Sequence, residues 1–215
     1  MKTILLKDAV ALIPDGASVM IGGFMGVGTP ERLVDELVRQ GKRNLTVIAN
    51  DNALPGVGIG KLISAGAVKK TIASHIGLNP ETQKKMLSGE LEVDLVPQGT
   101  LIERIRAGGF GLGGVLTSTG VGTVVEKGKQ RIEVDGKPYL LETALRADFA
   151  LVDAFLADYI GNLYYALTAR NFNPVIAMAA DKVIVEAENI VPVGVIAPDQ
   201  VMTPAPIVDY IISHA

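Results

Sequence analysis

The chain has no cysteine and no tryptophan, two histidines, and aromatic residues at only 5% of its 215 positions. Without cysteine there is no disulfide, no thiolate metal site and no thiol nucleophile. Two histidines and no spaced carboxylate cluster leave too few ligands for a metal site. Runs of Lys and Arg are missing, and a formal charge of −3 argues against a nucleic-acid partner. No apolar run approaches the ~20 residues of a membrane span. The opening "MKTILLKDAVALIPDG" is not a secretory signal, because Lys7, Asp8 and Pro14 interrupt it early. A soluble, cytoplasmic protein is the expectation.

What is present is aliphatic. Hydrophobic residues reach 48%, mostly Val, Ile, Leu and Ala, the usual filling of a buried parallel sheet. Strand-like and helix-period segments alternate. "SVMI" (18–21) predicts a strand. A helix follows, with Thr29 as N-cap, Pro30 at N1, an apolar stripe of Leu33, Val34, Leu37 and Val38, and Gly41 at C′. "LTVIA" (45–49) predicts a strand ending in a glycine-rich loop from Asn50, then a short helix at 61–65. Further strand–helix pairs follow at 70–74 with 80–89, capped by Asn79 and stopped by Gly89, and at 91–96 with 100–109. Asp135-Gly136 predicts a type I′ hairpin between 131 and 141. Strands at 148–155 and 163–167, a helix at 173–180 and a strand at 182–188 complete the reading. The expected fold is α/β: one domain over residues 1–215, a mostly parallel sheet with flanking helices and an added β-hairpin.

Four strand ends carry candidate chemistry. The loop Gly22-Gly23-Phe24-Met25-Gly26-Val27-Gly28 lies between a strand end and a helix start, where backbone N–H groups and a positive dipole end can face an anion or thioester. It is neither a P-loop nor G-x-G-x-x-G, and a tight turn with glycines for packing explains it equally well. Asn50, Asp51 and Asn52 end the second strand, where open sheets bind ligands, but capping and Asx-turns use the same residues. Ser74-His75 ends the third, with no triad around it. Gln98, between Pro97 and Gly99, is either a fixed amide donor or an ordinary loop residue. Donors abound, and no nucleophile accompanies them.

The motifs have a family likeness. "DGASVMIGGFMGVGTP" resembles the signature of the family I coenzyme A transferases, and "NLTVIANDN", "ASHIGLNPET", "SGELEVDLVPQGTLIERIRAGG", "LTSTGVGTVVEKGK" and "ARNFNPVIAMAA" continue the resemblance nearly end to end. It is to the alpha subunit of the short-chain branch, acting on acetate or butyrate with acetoacetate. The resemblance implies covalent catalysis by a glutamate that attacks an acyl-CoA thioester. That glutamate lies in a Ser-Glu-Asn-Gly motif of a beta subunit, with α2β2 assembly. The motif is absent here; Glu188-Asn189, read as a strand end, continues with Ile190. The resemblance assigns Gly22 to Gly28 to CoA binding, with Asn50 and Asn52 near the CoA, and Gln98 to an oxyanion hole. Coenzyme A is then a substrate, and neither cofactor nor metal is implied. Two alternatives remain: a non-catalytic structural subunit of such a complex, and a dinucleotide-binding oxidoreductase.

Overall fold

The computed structural model describes residues 3–212. In chain order its elements begin with β1 (Thr3–Ile4), α1 (Leu6–Ala11), β2 (Ser18–Ile21), α2 (Glu31–Arg39), β3 (Leu45–Asp51), α3 (Ile59–Ser64), β4 (Val68–His75), α4 (Pro80–Ser88) and β5 (Glu92–Leu95). They continue with α5 (Gln98–Gly109), β6 (Gly114–Thr117), β7 (Arg131–Val134), β8 (Lys137–Thr143), β9 (Ala147–Asp158), β10 (Leu163–Tyr164), α6 (Asn173–Ile176), β11 (Ala180–Val191) and β12 (Tyr210–Ile212).

The main sheet has the order β1-β12-β11-β9-β2-β3-β4-β5. All neighbours along that path are parallel, and β10 adds a short antiparallel strand beside β9. Alternation along β2 explains how the sheet is covered twice. Val19 and Ile21 point to one face, packing with Leu33, Leu37, Leu62 and Ile63 of α2 and α3. Met20 points to the other, with Leu101 and Ile105 of α5 and Ile176 of α6. A strand buried on both sides has no polar face to offer, hence the near-continuous apolar runs. The helices end where small residues allow. In α2, Gly41 takes φ 68, and the Gly41 and Lys42 N–H groups bond Val38 and Leu37 carbonyls, a Schellman closure. Asn79 caps α4 by accepting from the Thr82 N–H.

A separate antiparallel sheet, β6-β8-β7, contains the expected hairpin. Asp135 (φ 51) and Gly136 (φ 71) make its I′ turn.

Several expectations are corrected. β3 runs on through Asn50 and Asp51, because Asp51 still pairs with His75 of β4. Gln98 is not in a loop but opens α5, and Gly99 lies within that helix. The strand expected at 163–167 stops at Tyr164 and gives way to a 3₁₀ turn at Leu167–Arg170. The helix expected at 173–180 closes after one turn, since Ala180 is already paired with Ala147 in the sheet. Glu188-Asn189 lies inside β11 rather than at its end, with Asn189 in register with Leu156. Among the described residues, no helix is long and apolar enough to cross a membrane.

Candidate active site

Strand order reverses between β2 and β9. From β2 the chain moves outward through β3, β4 and β5; from β9 it moves the other way through β11 and β12. Open α/β sheets bind ligands beyond the carboxyl ends of the strands at such a reversal, and here that position is occupied by Gly22 to Gly28.

The loop is held from within and below. Gly22 N–H donates to Leu151 O at 3.1 Å, and Phe24 and Val27 exchange backbone bonds of 3.0 Å. Met25 sits at φ 54, a conformation uncommon for a side chain of its size. Its N–H donates to the Asp51 carboxylate at 3.1 and 3.2 Å. Burial raises the Asp51 pKa, while the Met25 N–H favours its charged form. The N–H groups of Gly23, Gly26 and Gly28 have no partner among the described residues.

The helix end is not free, contrary to expectation. Thr29 Oγ1 donates to Gly22 O, so it closes the loop instead of capping α2, and the helix starts one residue later than expected, at Glu31. The Arg32 and Leu33 N–H groups donate to the Glu186 carboxylate at 3.2 and 3.0 Å. A carboxylate from β11 thus already occupies the positive end of this dipole. Donors for an anion must come from the loop itself.

Asn50 and Ser74, near the ends of β3 and β4, meet Gln98, the first residue of α5. Asn50 is fully buried, and its Oδ1 accepts from Gln98 Nε2 at 2.9 Å and from Ser74 Oγ at 2.8 Å. Nε2 carries two hydrogens, so the second stays available on the exposed Gln98 side chain. Asn52 turns inward: its Oδ1 accepts from Thr71 Oγ1, and its carbonyl from Asn79 Nδ2. The NH₂ groups of Asn50 and Asn52 are buried without partners.

Sequence reasoning missed an acidic group behind the loop. Asp153 and Glu186 face each other in register on β9 and β11. Burial, then repulsion from Glu186, Glu188 and Glu31, pushes Asp153 up to about 7. Glu186 is also raised, chiefly by burial, against the pull of its two N–H donors. Nothing in the local sequence reveals this pairing, which depends on the register of strands 33 positions apart. Missed too was the wall at 167–171. With Phe24, Met25 and Val27, residues Thr168, Arg170 and Asn171 line an apolar cavity of about 540 Å³. Met25, Ala53 and Leu167 all hold positive φ, and strain of this kind gathers at functional sites.

Residues 3–214 match the family model described as coenzyme A transferase. The chain belongs to that family. It is 58% identical to the Escherichia coli K12 acetate CoA-transferase subunit alpha over 211 residues, covering 98% of this chain and 96% of that one. Against the Clostridium acetobutylicum acetoacetyl-CoA:acetate/butyrate CoA transferase alpha subunit it is 53% identical, covering 99% and 98%. Its fold resembles that of the Escherichia coli O157:H7 acyl-CoA transferase solved as a thioester complex with CoA, with TM-score 0.86 and 24% identity. The match covers 99% of this chain but 47% of the solved one, so the chain spans about half the length of that transferase. Membership of the coenzyme A transferase family displaces the dinucleotide-binding alternative.

Proposed function

We propose that this chain is the alpha subunit of a cytoplasmic short-chain acyl-CoA:carboxylate CoA-transferase, moving CoA between acetyl- or butyryl-CoA and acetoacetate in an α2β2 assembly. In this reading a beta-subunit glutamate, within Ser-Glu-Asn-Gly, attacks the thioester carbonyl. The C–S bond breaks, CoA leaves as thiolate, and an acyl–glutamyl anhydride forms. The thiolate attacks the glutamyl carbonyl and expels the first carboxylate, giving a glutamyl-CoA thioester. The acceptor carboxylate then reverses both steps and takes the CoA. This chain supplies the loop Gly22 to Gly28 for CoA, with Asn50 and Asn52 beneath it, and the Gln98 amide for the oxyanion.

The supporting observation is the bond from Gln98 Nε2 to Asn50 Oδ1. It anchors a side-chain amide beyond the strand ends and leaves one N–H to donate. A donor fixed in advance needs no reorganisation as charge develops, and that preorganisation is the source of oxyanion stabilisation. The exposed Met25 and Val27 on the cavity wall suit a site that is completed by another subunit. To test the reading, the purified chain is assayed with acetyl-CoA and acetoacetate, alone and with a partner carrying Ser-Glu-Asn-Gly. Transfer should require both; robust turnover by this chain alone would contradict it.

A further inference from the structure

The segment "ARNFNP" has no role in the scheme above, yet it contains the side chain most closely built into the glycine loop. Asn173 begins α6 and is fully buried. Its Nδ2 donates to Gly28 O at 2.9 Å and to Ala169 O at 3.0 Å, while its Oδ1 accepts from Asp153 N–H at 3.0 Å. Both amide hydrogens and the oxygen are engaged. The three partners lie on the exit of the glycine loop, on the 3₁₀ turn beside the cavity, and on β9. One amide joins all three.

The same side chain fills the space under the loop. A Cβ on Gly22 would lie 1.8 Å from Asn173 Oδ1 and 2.4 Å from its Cγ, distances no real contact shows. Gly22 has to be glycine because Asn173 is there. Gly28 is similarly confined, since its Cβ would meet Ala169 at 2.8 Å and Asn173 Nδ2 at 3.4 Å. Asn173 thus contacts both ends of the loop.

We infer that Asn173 is the positioning residue of the glycine loop: it acts through Gly22 and Gly28 to set where the loop's backbone donors meet the acyl-CoA. The inference rests on the reading of that loop as the CoA site. A residue that only stabilised the fold would lower Tm when truncated and leave substrate affinity alone. A positioning residue shifts KM for one substrate, because displacements near 1 Å can cost ~10²-fold.

The test uses the assembled complex, with Tm and KM measured for acyl-CoA and for the acceptor carboxylate separately. Asn173→Ala should raise KM for acyl-CoA at least ~10-fold and leave KM for the carboxylate within about twofold. Asn173→Asp keeps the acceptor for Asp153 N–H and loses both donors, so it serves if the alanine variant does not assemble. Gly22→Ala should produce the same split. The double variant Gly22→Ala/Asn173→Ala removes the clashing amide and should be no worse than Gly22→Ala alone, a strong non-additivity expected only of groups in contact. Multiplicative effects in the double variant would overturn the inference. So would an unchanged KM for acyl-CoA in the Asn173 variants while Gly22→Ala raises it; that outcome leaves the loop's assignment standing. If Gly22→Ala also leaves it unchanged, the CoA-site reading fails, and this inference with it.

Discussion

Asn50 Oδ1 accepts two hydrogen bonds at once, from Gln98 Nε2 at 2.9 Å and from Ser74 Oγ at 2.8 Å. One buried oxygen therefore ties the carboxyl ends of β3 and β4 to the first residue of α5 and fixes the amide that the proposed chemistry uses.

Asn50→Ala should then act on rate more than on stability. It takes Oδ1 from the Gln98 amide, which is exposed and can turn to water, while Ser74 Oγ keeps the Asn50 carbonyl at 2.7 Å. kcat of the assembled complex should fall at least ~10-fold as Gln98 loses its anchor, with Tm changed little. Thermal melts and steady-state kinetics check this. Unchanged kcat with lowered Tm would detach Asn50 from the site.

Gly26 separates loop geometry from general strain. It holds φ +87, and a Cβ there would meet Val57 Cγ1 at 2.5 Å. Gly89, the C-cap of α4 at φ +79 with nothing within 4 Å, would impose similar backbone strain on a side chain outside the loop. Backbone strain from valine should cost about 1–2 kcal/mol at either position, with a further cost at Gly26 where Val57 must shift, but Gly26→Val should abolish transfer whereas Gly89→Val keeps it. Equal activity of the two assembled variants would remove the loop from the site.

Asp153 gives a pH dependence of defined sign. Its pKa rises from 3.8 to about 7 on folding, through burial and then its acidic neighbours. The folded chain thus holds a proton that the unfolded chain has lost, so stability falls as pH rises from about 4 and the full cost is reached above about 7. Asp153→Asn removes that cost. Discounted for partial exposure, the gain at pH 8 should be about 1 kcal/mol, a Tm increase of about 2–4 °C, shrinking toward pH 4. A Tm difference independent of pH would show that Asp153 does not titrate in this range.

Local signals in the sequence located the elements well where one residue type decides the outcome. Asn79 and Gly89 bound α4, Gly41 closes α2, and Asp135-Gly136 turns the hairpin, because caps and turns depend on nearest neighbours. Elements whose limits are set by distant pairing were not legible. Asp51 stays in β3 because it faces His75, and α6 ends early because Ala180 joins Ala147. The helix-end anion site failed for the same reason. Thr29 and Pro30 looked like an open N-terminus, but Glu186, some 150 residues away, occupies it. Likewise, Asn173 gave no sign in sequence that it lies under Gly22.

If this chain contributes an oxyanion donor to a nucleophile held elsewhere, kcat of the assembled complex carrying Gln98→Ala is the quantity that must respond. A preorganised donor binds the developing oxyanion better than the ground-state carbonyl, and losing one such donor lowers the rate by ~10²–10³. kcat should fall by that factor, with assembly and CoA affinity retained and Gln98→Glu at least as damaging, since it places negative charge beside a developing one. A kcat within about threefold of the unaltered complex, where one donor is worth ~10²–10³, would contradict it.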